Sequence, residues 1–256
     1  MSSQNRACLQ VKNIVFGEGI PKICLPIVDT AHKDIIQTID RYETLDDWDV
    51  VEIRLDFFAN LMDVEAVKAL LQDVYKHCQH VVLVTIRTKL EGGQIDLTKD
   101  DYCHLIKIII DCGAADIIDL ELSLGEERLR SLIEDAKSHD IVTLISSHDF
   151  KETPDNGELA RRLTLMEALG GDLLKLACMP QTEKDVVRLQ DVTFDCANTL
   201  HQPLITMSMG QMGILTRVTG ELYGSTMTFA TAGKPSAPGQ IPLEDMVQVL
   251  DVIHYD

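Results

Sequence analysis

Short apolar runs rich in β-branched residues recur along the chain, and longer stretches with apolar residues at three- and four-residue spacing lie between them. The first kind predicts strands at 22–28, 50–56, 81–85, 116–120, 141–146, 173–177, 204–207 and 225–229. The second predicts amphipathic helices at 63–76, 98–111, 126–139, 157–169, 183–198 and 243–253. Eight strand–helix units in 256 residues come to about 32 residues each, the size of a β–α–β repeat. Strands that are apolar almost throughout have both faces covered, which implies a parallel sheet wrapped by helices. Eight such units favour closure into a barrel over an open doubly wound sheet. The expected fold is therefore α/β, a single (β/α)8 TIM barrel forming one domain over residues 1–256. Residues 9–16 hold two short apolar runs split by Lys12 and Asn13, which predicts a short hairpin closing the bottom of the barrel.

Charge and cysteine usage narrow the class of partner. Forty-one acidic against 23 basic residues give a net charge of -18, which disfavours nucleic acid and anionic membrane surfaces. An anionic substrate would need arginines of its own in the site. The seven cysteines, Cys8, Cys24, Cys78, Cys103, Cys112, Cys178 and Cys196, are odd in number and show no CxxC or zinc-ligand spacing. That pattern suits a reducing cytoplasm. Residues 1–13 lack the apolar run of a signal peptide, and no apolar segment approaches the ~20 residues needed to span a bilayer.

Several polar residues sit where an apolar strand does not call for them. Glu52, Arg54 and Asp56 alternate with Val51, Ile53 and Leu55, so all three charges share one face. In a closed barrel that face is the interior, where charges are costly unless paired or used. They read as a functional set or a structural ion network. Arg87 ends the next strand and precedes Glu91, Gly92 and Gly93, a loop that folds over a ligand or is merely solvated. His148 closes the fifth strand at the end where barrel enzymes keep their chemistry. Lys175, inside an apolar strand, is the sharpest anomaly, because lysine is almost never buried without a partner. Burial lowers its pKa and yields the neutral amine that attacks a ketone; the alternative is a lysine in a barrel ion pair. Arg217 follows a Ser/Gly-rich turn and suits a carboxylate. Ser236 and Gln240 lie in a Gly/Pro/Ser-rich loop after the eighth strand that has the makings of a lid.

With these residues in view, the chain resembles type I 3-dehydroquinate dehydratase over nearly its whole length. The matching pieces are Glu52-Ile53-Arg54-Leu55-Asp56, Arg87 through Gly93, Ser147-His148-Asp149-Phe150, and Lys175 with Met179-Pro180. Further on come Ile205 through Gly210, Arg217, Gly220, Gly224-Ser225 and Ala232 through Gln240. The resemblance implies a homodimer that dehydrates 3-dehydroquinate to 3-dehydroshikimate in the shikimate pathway, with no metal and no cofactor. It implies that Lys175 forms an imine, His148 shuttles protons and Glu91 orients the histidine. Glu52, Arg54, Arg87, Arg217, Ser236 and Gln240 would hold the substrate. Phe57 and Pro26 depart from members that carry a His and a Ser there. A class I aldolase, which shares the buried lysine but cleaves a carbon–carbon bond, and a barrel retired from catalysis are the rival readings.

Overall fold

The computed structural model describes residues 6–255; residues 1–5 and 256, at the two ends of the expected domain, lie outside the described residues. A hairpin of β1 (Leu9–Val11) and β2 (Ile14–Phe16) comes first. Then follow β3 (Lys22–Ile27), α1 (His32–Tyr42), β4 (Val50–Arg54), α2 (Val64–His77), β5 (Val81–Thr85), α3 (Lys99–Cys112), β6 (Ile117–Glu121) and α4 (Glu126–Ser138). The second half holds β7 (Val142–Asp149), α5 (Asn156–Leu169), β8 (Leu173–Cys178), α6 (Glu183–Ala197) and β9 (Leu204–Ser208). Two short helices, α7 (Ile214–Val218) and α8 (Gly220–Tyr223), stand in a stretch where no helix was named from the sequence, before β10 (Met227–Thr231), β11 (Ile241–Pro242) and α9 (Leu243–Ile253).

Strands β3 to β9 pair in chain order, all parallel, and β10 pairs with β3. The sheet curls until its flanks meet: Leu204 bridges Ser225, and Thr226 N–H donates to the Leu204 carbonyl at 2.7 Å. The two-residue β11 pairs with the carboxyl end of β10.

Local chemistry sets the helix starts. Asp63, Thr98 and Asp155 accept hydrogen bonds from the first-turn amides of α2, α3 and α5, and Thr182 with Asp185 forms a capping box on α6. Helix α1 escapes the sequence reading because Ala31 supplies no side-chain cap and polar residues surround its buried Ile35, Ile39 and Tyr42. At the hairpin turn Lys12 takes the left-handed conformation, φ 49°, held by an ion pair to Asp116 at 2.7 Å and a bond to the His80 carbonyl at 3.0 Å.

The core has two parts. One lies between helices and sheet, built on residues such as Ile53, Val84, Ile118 and Leu174. The other lies inside the curled sheet: Cys24, Val50, Val81, Leu83, Ile117, Leu144, Leu173, Ile205 and Met227, with Val11 and Phe16 of the hairpin packed among them. Side-chain parity makes those same strands present their later inward positions at the carboxyl end, and there the residues turn polar. Phe16 is 0% exposed, so Phe16→Ala is expected to lower stability by about 3–5 kcal/mol. Urea unfolding measures this, and a loss below about 1 kcal/mol would show that the hairpin contributes little packing.

Candidate active site

All nine residues singled out in the sequence, Glu52, Arg54, Arg87, Glu91, His148, Lys175, Arg217, Ser236 and Gln240, line one cleft at the carboxyl end of the sheet. The cleft holds about 500 Å³, counting the space open to solvent at its mouth. Gly92, Phe150, Ala177, Met207, Met209, Phe229 and Ala237 complete its wall.

Arg87 organises one side. It is 4% exposed, and its guanidinium donates to Asp119 at 2.6 Å, to Ser146 Oγ at 2.9 Å and to Glu121 at 3.1 Å. Glu91 lies 3.5 Å away. Burial works against the charge of Arg87, but Asp119, Glu121 and Glu91 outweigh it and hold the guanidinium above its ordinary range. Glu121 also accepts from the Thr88 amide at 2.8 Å and hydroxyl at 2.7 Å, fixing the turn after β5. Arg54 has its own anion: Asp56 accepts from Nε and Nη2, both at 2.8 Å. Asp56 was expected on the strand with Glu52 and Arg54; it sits instead in the tight turn Leu55–Phe57, buried and folded back onto Arg54. Glu52 accepts from Thr85 Oγ1 at 2.9 Å.

Glu91 reaches His148 from the turn Lys89–Glu91. Two glycines make that turn possible: a Cβ on Gly92 would lie 2.2 Å from the Phe150 ring, and one on Gly93 would lie 1.8 Å from the Arg87 carbonyl. Glu91 Oε2 accepts the His148 backbone N–H at 3.0 Å and faces Nδ1 at 3.0 Å. When Glu91 is ionised its oxygen can only accept, which puts the ring proton on Nδ1 and leaves Nε2 as a free base. Burial, with Arg87, Lys175 and Arg54 adding to it, holds the imidazole well below its ordinary pKa and therefore neutral. Burial pushes the Glu91 carboxyl up to about 7, with Glu121 and Asp119 adding to the rise and Arg87 opposing it.

Lys175 is 4% exposed. Among the described residues its ammonium forms no hydrogen bond or ion pair, and Nζ lies 4.3 Å from the centre of the Phe229 ring. Burial lowers its pKa, against the opposing pull of Glu52 and Asp119. Among the described residues Arg217 is the other cation in the cleft without an anion: it is 2% exposed, its Nη2 donates to the Pro238 carbonyl at 3.1 Å, and Nε has no partner there. Burial alone pushes its pKa down to about 10. The loop over it is tied to itself, Gln240 accepting from Ser236 N–H at 2.8 Å and donating to Ser236 Oγ at 3.0 Å. It is also pinned to the turn after β9, where Gly210 N–H donates to Pro238 at 3.2 Å.

The sequence reading missed Asp119 and Glu121. Their signal is the one that marked Glu52 and Arg54, two carboxylates at i and i+2 in an otherwise apolar strand, Ile117–Glu121. Phe229 carries no such signal, since an aromatic residue in a strand is ordinary core. Among the described residues one group has donors spaced to hold a metal ion, Glu43, Cys78 and His80, and none of the three lines the cleft.

A curled parallel sheet with a lysine and a neutral histidine in a cleft at its carboxyl end defines an enzyme of the β/α class. The type I 3-dehydroquinase family model matches residues 23–256. The 3-dehydroquinate dehydratases of Listeria innocua and Clostridioides difficile are each 41% identical to this chain, and the alignments cover 95% and 96% of it and 97% of each relative. The crystal structure of the type I enzyme from Clostridium difficile with covalently modified comenic acid superposes with a TM-score of 0.93 at 39% identity, covering 97% of this chain and 98% of that one. The chain belongs to the type I 3-dehydroquinate dehydratases, lyases of the shikimate pathway. The aldolase alternative falls with that result.

Gly239, at φ +78°, brings the loop to Gly210, whose carbonyl would lie 2.4 Å from an added Cβ. Gly239→Ala is expected to cost the closed loop about 1–2 kcal/mol and to raise proteolytic cleavage within residues 231–240 about tenfold. Unchanged cleavage would show that the loop is not held at this contact.

Proposed function

We propose that this chain removes water from 3-dehydroquinate by syn elimination through an imine on Lys175, giving 3-dehydroshikimate. The observation that carries the reading is the state of Lys175, a buried amine with no hydrogen-bond or ion-pair partner among the described residues, sharing a cleft with a neutral histidine. The relative from Clostridium difficile was crystallised with covalently modified comenic acid, which agrees with covalent chemistry in the family.

The neutral amine adds to the substrate ketone, one proton is taken up from solvent and one water is expelled, leaving a protonated imine; that proton returns to solvent when the imine is hydrolysed. The adjacent carbon now holds a far more acidic proton, and His148 Nε2 takes it while Nδ1–H remains on Glu91. The resulting enamine expels the hydroxyl one carbon further on, which leaves as water with the proton that His148 returns. Proton transfer of this kind is worth about 10²–10⁴-fold. A water then hydrolyses the product imine and frees Lys175, so one water is released per turnover. No step calls for a metal or an organic cofactor, because the imine itself draws electrons from the carbon being deprotonated.

Arg217 pairs with the substrate carboxylate, which supplies the anion that its guanidinium lacks. Ser236 and Gln240 close over the ligand, and Glu52, Arg54 and Arg87 receive its hydroxyls and hold the surrounding groups in place. Phe57 lies against Arg54, 5.1 Å from ring centre to guanidinium carbon, and moves no proton; Pro26 offers no side-chain hydroxyl. The fuller architecture is a closed eight-stranded barrel with the β1–β2 hairpin as its floor, supported by the Leu204–Ser225 bridge and the packing of Val11 and Phe16. The working form is a cytoplasmic homodimer, in keeping with the resemblance and with cysteines that are all free among the described residues.

Borohydride added during turnover is expected to reduce the imine to a stable amine, inactivating the enzyme and adding the ligand's mass to Lys175. Lys175→Ala loses both labelling and dehydration, whereas His148→Ala still labels but turns over at least about 100-fold more slowly. Labelling at Lys89 or Lys234 instead, or full activity in Lys175→Ala, would remove Lys175 from the mechanism.

A further inference from the structure

At the opposite end of the sheet, where chain segments enter the strands, Glu43 at the end of α1 meets Cys78 and His80 in the connection from α2 to β5. One donor atom from each residue lies within 4.8 Å of the others. The mix of a thiol, an imidazole and a carboxylate is one that zinc accepts. Sequence spacing concealed it, because Cys78 and His80 are only two residues apart and the third donor comes from another helix.

Each donor is held in place. The Gln79 amide donates to Glu43 Oε1 at 3.0 Å, and His80 Nδ1 faces the same oxygen at 3.0 Å. The His80 ring stacks on Trp48, centroids 3.6 Å apart and planes at 23°, and Trp48 Nε1 is fixed by the Tyr42 carbonyl at 3.0 Å. Cys78 is buried, while the side chains of His80 and Glu43 are 29% and 19% exposed, so an ion can enter from solvent and keep a water. Lys12, which donates to the His80 carbonyl at 3.0 Å, is paired with Asp116 at 2.7 Å. Zinc bonds of about 2.0–2.3 Å need the widest donor pair to close by at most roughly 1 Å.

The geometry points to a binding site for a borderline-soft divalent cation, of the zinc class, held by Glu43, Cys78 and His80 with water as the fourth ligand. Binding breaks the Cys78 S–H bond and releases that proton to solvent, and the imidazole binds through the ring nitrogen that carries no proton. The thiol becomes a metal-bound thiolate. The site stands apart from the cleft and takes no part in dehydration.

Cobalt(II) is the probe, added to chelator-treated, reduced full-length protein. The expected result is a thiolate-to-cobalt charge-transfer band that saturates at one equivalent and is bleached by zinc. Cys78→Ser abolishes the band, Cys112→Ser leaves it intact, and Glu43→Gln or His80→Ala weakens cobalt binding at least about tenfold. Dehydratase turnover stays unchanged in these variants and reports that each is folded. Absence of the band in the unsubstituted protein, or a band that survives Cys78→Ser, overturns the site and leaves the three residues a hydrogen-bonded cluster.

Discussion

A guanidinium buried to 4% exposure must have its charge met where it lies, and Arg87 draws Asp119, Glu121 and Ser146 from two neighbouring strands and Glu91 from the turn that follows it. The consequences spread outward from that arginine. Glu121 clamps Thr88, Thr88 begins the turn that carries Glu91, and Glu91 fixes His148 through its main chain and its ring. Gly92 and Gly93 allow the turn to close this tightly. Breaking the ion pairs on one side would strand charge in the interior, at a cost of about 3–5 kcal/mol.

The same accounting of charge separates the cations of the cleft into two kinds. Arg54 and Arg87 have their own carboxylates. Lys175 and Arg217 have none among the described residues, and burial weakens the hold of each on its proton. Under the proposed mechanism an anionic ketone would supply what both lack: a carboxylate for the arginine and a carbonyl carbon for the amine. The acidic surface, at a net charge of -18, does nothing to attract such a substrate. The site's own local field has to do so.

Much of this was readable from the chain because the anomalies were of a kind that periodicity exposes. A lysine in an apolar strand, and a glutamate and arginine at alternate positions, break the expected pattern at a definite place. Asp119 and Glu121 break it in the same way, but the strand expected at 116–120 stops short of Glu121, which hides the pair. Strand ends were less readable. Asp56 fell outside β4 because its attraction to Arg54 turns the chain back, and β7 runs on through His148 because it pairs with β8 as far as Cys178. Helix α1 lacked a capping side chain, and the grouping of Glu43 with Cys78 and His80 exists only once α1 and α2 are packed side by side.

The central claim is that burial, and not a neighbouring carboxylate, decides the protonation of Lys175. Its Nζ is enclosed by apolar wall on the Phe229 side, and the carboxylates that favour the ammonium are outweighed by loss of water. The direct test is a nuclear magnetic resonance titration of Lys175, with Lys175→Ala used to assign its signal. The account predicts a midpoint clearly below the ordinary lysine value of about 10.4, and a return toward that value when a substitution opens the cleft to solvent. A midpoint at or above the ordinary value would contradict it, because Lys175 would then be a paired ammonium and no nucleophile at neutral pH.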